Sequence, residues 1–89
     1  MANIKSQMKR NRQNEVRRLR NKSARSEVRT RIKNAITAAE SGDADAAAEA
    51  LSLAQQRIDR ATTAGVLHKR TAARRKSQLA KQVRTLLGS

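Results

Sequence analysis

The chain is 89 residues long and carries 21 Lys and Arg against 7 Asp and Glu, a net charge of +14, with no Phe, Tyr, Trp, Cys or Pro. A charge that dense is a footprint for a polyanion, while the missing aromatics exclude reading unstacked bases by stacking, the usual resource of single-strand binders. Without Cys, and with His68 as the single histidine, the common zinc and nucleophile–base constellations are excluded too. What remains is recognition of a phosphate backbone and its shape.

No apolar run approaches the ~18 residues of a membrane span, and no apolar stretch of about 7–15 residues follows the N-terminal charges as in a secretory signal. A soluble, intracellular protein of one small domain is expected. Gly42, Gly65 and Gly88 are the only glycines. Such sparse punctuation, with abundant Ala, Arg, Lys, Gln and Leu, predicts helix nearly throughout. The fold class is all-α, a three-helix bundle with a long, extended N-terminal helix.

The first helix is predicted over residues 6–41. Val28, Ile32, Ala35 and Ala39 recur at steps of three and four, forming one apolar stripe. Arg18, Lys22, Arg25, Arg29 and Lys33 form a basic line roughly 90° around the same helix. Extended backwards, the apolar stripe meets Arg10 and Arg17 instead of aliphatics, and Lys5, Lys9 and Arg12 add charge on other sides. No partner helix could bury such a surface. The first 20–25 residues are therefore expected to project from the bundle, and to fray until a polyanion screens them.

Gly42 is placed to end this helix in the left-handed conformation, and Asp43 to cap the next, with Asp45 beside its positive dipole end. The second helix is predicted over residues 44–64, with Ala47, Leu51, Ala54, Ile58 and Ala61 as a seam of small and large side chains. Its outward Asp45, Glu49, Ser52, Gln56 and Thr63 read as a solvated face. The third helix is predicted over residues 69–87. Ala72, Leu79, Val83 and Leu86 face the core, Arg70, Arg74, Lys81 and Arg84 face away, and Arg75 and Lys76 lie on the flanks. Val66 and Leu67 are placed to close the bundle. About a dozen bulky aliphatics must hold it together, so the core is thin.

Charge follows the same division. Residues 1–33 hold twelve basic side chains against Glu15 and Glu27, a net +10. Residues 34–56 hold none against Glu40, Asp43, Asp45 and Glu49, and residues 57–89 hold nine against Asp59. Phosphate contact at the two flanks, with the middle left to solvent, is the simplest arrangement. Too few acids lie near either row for it to be a merely solvated face. The predicted contact set is Lys5, Lys9, Arg10, Arg12, Arg17, Arg18, Lys22, Arg25, Arg29, Lys33, His68, Lys69, Arg70, Arg74, Arg75, Lys76, Lys81 and Arg84. His68 reads better as a cap or packing residue than as a ligand. The central acids lack the spacing of a calcium loop or two-carboxylate site, and Met1 and Met8 imply no cofactor.

Ala2-Asn3-Ile4-Lys5-Ser6, the Gly42-Asp43 turn, and the run from His68-Lys69 through Ala72-Ala73-Arg74-Arg75-Lys76 resemble a bacterial ribosomal protein family of the small subunit, the one called S-twenty. The likeness covers the whole chain in length, segment order and glycine placement. Members commonly have Asn where this chain has Arg70, and the middle here is rich in Ala. The resemblance implies a three-helix bundle that binds small-subunit ribosomal RNA directly and early in assembly, with its first helix among RNA helices near the bottom of the subunit body. It further implies a cytoplasmic, ribosome-bound protein with one copy per subunit, few protein contacts, no membrane, no cofactor and no catalysis.

The alternative is a nucleoid-type protein coating DNA, but that would want a second apolar face for dimerisation or a wedge for the minor groove. A membrane binder would want Trp, Phe or a larger apolar face. An inert coiled coil would not concentrate +10 in its first 33 residues. For an enzyme there is no nucleophile–base pair.

Overall fold

Two glycines decide where the chain turns. In the computed structural model, which describes residues 2–88, Gly42 has φ 81° and Gly65 φ 80°, the left-handed region that other residues enter at a cost. They separate α1 (Ala2–Glu40), α2 (Ala44–Thr63) and α3 (Lys69–Gly88), and no strand occurs among the described residues. Met1 and Ser89 lie outside them.

The end of α2 closes in a Schellman arrangement. The Gly65 N–H donates to the Thr62 carbonyl at 3.0 Å and the Val66 N–H to the Ala61 carbonyl at 2.9 Å. Asp43 caps α2 as expected: its Oδ1 accepts from the Ala46 N–H at 3.1 Å, with Asp45 in the first turn. Helix bounds differ from expectation by a residue or so at most ends. At the start of α1 the difference is larger, Ala2 in place of Ser6, because no Gly or Pro there interrupts the helix. At its far end Ser41 belongs to the turn, and its hydroxyl donates to the Ala38 carbonyl at 2.7 Å.

The helices pack around two adjoining clusters. Val28, Ile58, Ala61 and Ala72 form one, flanked by Ile32, Val66 and Leu67. Ala35, Ala39, Ala47, Ala54, Leu79 and Val83 form the other, flanked by Ile36, Leu51 and Leu86 among others. The core is thinner than the aliphatic content suggested. Of the ten buried apolar residues among those described six are Ala, and only Val28, Ile58, Leu79 and Val83 are larger. The small seam lets the helices approach closely, and most Leu and Ile then lie across its edges, half-buried.

Two ion pairs join the helices among the described residues. Glu27 of α1 lies 3.0 Å from Nε of Arg57 in α2, close but not along the N–H direction. Lys76 of α3 donates to Asp59 of α2 at 2.7 Å. Partly exposed as they are, each adds at most about 1 kcal/mol.

The molecule measures 66 × 22 × 13 Å, because α1 is twice as long as the bundle it belongs to. Residues 4–20 are exposed on every side, an arm of roughly 25 Å beyond the Val66–Leu67 closure. The arm is helical in the structure, supported by helix-forming Lys, Arg and Gln and by a 2.8 Å Arg18–Glu15 pair. All its side chains from residue 4 to residue 20 are exposed. Amides of residues 5–18 should therefore exchange through local opening within seconds, while those of Ala54 and Ile58 exchange only on global unfolding. Hydrogen-exchange mass spectrometry or NMR measures that gradient, and equal protection at both ends would contradict it.

Candidate nucleic-acid interface

Every cation of the expected contact set is exposed except Lys76, which is half-buried and held by Asp59. Lys76 is thus turned toward α2 and serves the bundle. Arg18, though exposed, is engaged by Glu15, whose hydrogen bond and charge push its pKa further above the ordinary arginine value. Its charge is fixed at any pH a protein meets.

His68 is where the structure is most specific. It precedes α3, its carbonyl accepts from the Ala72 N–H at 2.9 Å, and its Nδ1 accepts from the Arg70 N–H at 3.1 Å. It is the N-cap of the helix, and its ring is committed to that bond. The neighbouring Lys69 and Arg70 are thereby fixed in the first turn of α3 with their side chains exposed.

The packing also settles which sides the basic rows occupy. Glu27 meets Arg57, and Arg31 and Asn34 line a groove with Ala46, Glu49 and Leu53, so α2 lies on that flank of α1. Helix α3 then lies on the opposite flank, beside Arg25, Arg29 and Lys33. On α3 the Lys76–Asp59 tie, and a groove shared by Ala48, Leu51, Ala80 and Leu87, put α2 on the Lys76–Ala80 side. The Arg75 flank therefore turns toward α1. Because Val28 shares a cluster with Ala72, and Ala35 and Ala39 share one with Leu79 and Val83, the two helices run parallel and in step. Arg75 thus shares that side with the row of α1, while Arg70, Arg74, Lys81 and Arg84 lie on the outer face of α3, away from the core.

The acids are elsewhere. Glu40, Asp43, Asp45 and Glu49 surround the α1–α2 turn, at the end of the bundle away from the arm. The long axis runs from a strongly cationic tip to an acidic foot. Such a field orients an incoming polyanion before contact.

Some surface cations stood outside the expected stripes. Arg20 and Arg60 are exposed, and Arg31 is half-buried beside the α1–α2 groove. Only a count of all sides of the arm, rather than of one stripe, would have brought in Arg20. The arm also exposes Ile4, Met8, Val16 and Leu19, each at least half accessible. Among the described residues no cluster of His, Cys, Asp or Glu could hold a metal ion, and no helix is long and apolar enough to cross a membrane.

Comparison with known proteins gives this surface a context. The profile of a family described as "Ribosomal protein S20" matches residues 2–84. The chain is 57% identical over 83 residues to the "Small ribosomal subunit protein bS20" of Kocuria rhizophila, covering 93% of this chain and 96% of that protein. It is 55% identical over 86 residues to the protein of the same description in Pseudarthrobacter chlorophenolicus, covering 97% and 100%. With the one in Mycobacterium ulcerans it shares 51% over 86 residues, covering 97% and 99%.

Proposed function

The chain belongs to the ribosomal protein S20 family, and from that premise we propose that it is a structural component of the bacterial small ribosomal subunit that binds small-subunit ribosomal RNA directly. Its part is non-enzymatic and its place is the cytoplasmic ribosome. It holds the RNA by phosphate and shape contacts and stabilises the RNA fold during assembly, as one copy per subunit with few protein neighbours.

The observation that carries this reading is the arm. A helix bearing Lys5, Lys9, Arg10, Arg12, Arg17 and Arg18 on several sides, all of them exposed, is built to be enclosed by a polyanion. Ion pairing with water-exposed acids cannot account for it, since Glu15 is the one acid among residues 1–20. The parallel rows of α1 and α3 supply further contact surfaces. Short polar groups between the cations, Asn11, Asn14, Asn21, Ser23 and Ser26, suit phosphate oxygens and ribose hydroxyls.

Footprinting on naked small-subunit ribosomal RNA, beside random duplex DNA at equal salt, tests the proposal. Protection confined to a few RNA sites is expected. Equal affinity for the DNA would overturn it in favour of a nucleoid protein.

A further inference from the structure

The outer face of α3 is a single line at steps of four and three, Arg70, Arg74, Ser77, Lys81 and Arg84. Its middle member is the one uncharged residue. Ser77 is exposed, and its hydroxyl makes no hydrogen bond among the described residues, whereas Thr30, Thr62, Thr63 and Thr85 bond back to the carbonyl four residues earlier.

The sequence before Ser77 is equally particular. Arg74, Arg75 and Lys76 occupy the three preceding positions, and no other Ser or Thr in the chain follows three consecutive cations. Thr71 comes nearest, after Lys69 and Arg70 with the neutral His68 before them, and Ser23 follows Arg20 and Lys22 with Asn21 between. A substrate cleft lined with carboxylates selects such a run by charge complementarity.

We propose that Ser77 is a phosphorylation site for a basic-directed Ser/Thr kinase, and that its modification weakens the polyanion face of α3. This rests on the RNA-binding reading of that face. In the step, Ser77 Oγ attacks the γ-phosphorus of ATP, the bond to the β–γ bridging oxygen breaks, ADP leaves, and the hydroxyl proton passes to the kinase's base. A kinase needs the segment extended. A bundle held by only four bulky buried side chains opens often enough in the free chain to present it, and RNA over α3 shields it.

The phosphate brings a charge of about −1.5 to −2 to the centre of the row. It lies one turn from Arg74 at i−3 and Lys81 at i+4, so both cations pair with it rather than with RNA. The modified helix keeps its fold while the net charge of its outer face falls by about half. That separates this switch from one that melts the bundle.

The full chain is treated with MgATP and the catalytic subunit of a cyclic-AMP-dependent protein kinase, mapped by mass spectrometry, and titrated with small-subunit ribosomal RNA at several salt concentrations. Phosphate at Ser77 is expected. The slope of log affinity against log salt should be shallower by about two, and affinity near 0.15 M salt lower by on the order of tenfold. Helicity should be unchanged. The Ser77→Ala chain should take no phosphate at this position and lose no affinity on treatment. Phosphate elsewhere with Ser77 untouched, or a Ser77-phosphorylated chain of unaltered affinity and slope, overturns the proposal. An untreated chain with no salt-dependent affinity would show instead that the RNA-binding reading itself has failed, and the switch falls with it.

Discussion

Ile58→Asp should abolish the cooperative melt of the free protein and most of its ellipticity at 222 nm. Ile58 is fully buried in the cluster that joins all three helices, with Val28, Ala61 and Ala72 around it. The substitution removes about 3 kcal/mol or more of apolar burial and cavity filling, and sets an unpaired carboxylate in its place at several kcal/mol more. A chain this small has on the order of 4–13 kcal/mol to lose, and with only four bulky buried side chains this one belongs at the low end. Ile58→Val should cost about 0.5–1.5 kcal/mol and leave a cooperative melt at lower temperature. A folded Ile58→Asp chain would mean that the Ala seam is not the core.

Replacing Arg18, Lys22, Arg25, Arg29 and Lys33 together by Gln should leave the melt intact and cripple RNA binding. All five are exposed, and Gln is nearly as good a helix former as Arg or Lys, so the fold loses nothing but self-repulsion. Each phosphate contact contributes roughly −0.9 to the slope of log affinity against log salt on a duplex, somewhat less on irregular RNA. Five lost contacts should flatten the slope by about 3–4 and lower affinity on the order of 10²–10³-fold near 0.15 M salt. Fluorescence anisotropy over a salt series reads both numbers. Arg18→Ala alone should lose least of the row, because Glu15 already competes for it.

Much of this design was legible in the sequence because helix punctuation and helix periodicity are local. Gly42, Asp43 and Gly65 carry their conformations in their own chemistry, and Val28, Ile32, Ala35 and Ala39 state a face by spacing alone. What was not legible depends on tertiary partners. Lys76 looks like any other flank cation until Asp59, seventeen residues earlier, is seen across the α2–α3 contact. Arg57 reads as surface charge until Glu27 lies against it. His68 was legible as a cap but not in its detail, since the Nδ1 bond to Arg70 depends on one ring rotamer.

The arm shows the limit from the other side. Its charge pattern told that no protein surface would cover residues 4–20, and the structure agrees, with the arm forming a continuous helix. Cations separated by a turn on an exposed helix are largely screened by water and salt, so each pair opposes the helix only weakly. The arm is therefore a preformed helix of low local stability, which lowers the ordering entropy that binding must overcome.

The absence of cysteine from the chain allows one direct test. Arg25→Cys, Arg74→Cys and Glu49→Cys chains, each carrying a tethered iron chelate, are bound to small-subunit ribosomal RNA, and strand scission is mapped. The proposed interface predicts strong local cleavage from positions 25 and 74, at sites near each other in the folded RNA, and weak cleavage from position 49 on the acidic foot. Strong cleavage from position 49 with silence at 25 and 74 would show that the polymer lies on the other end of the molecule.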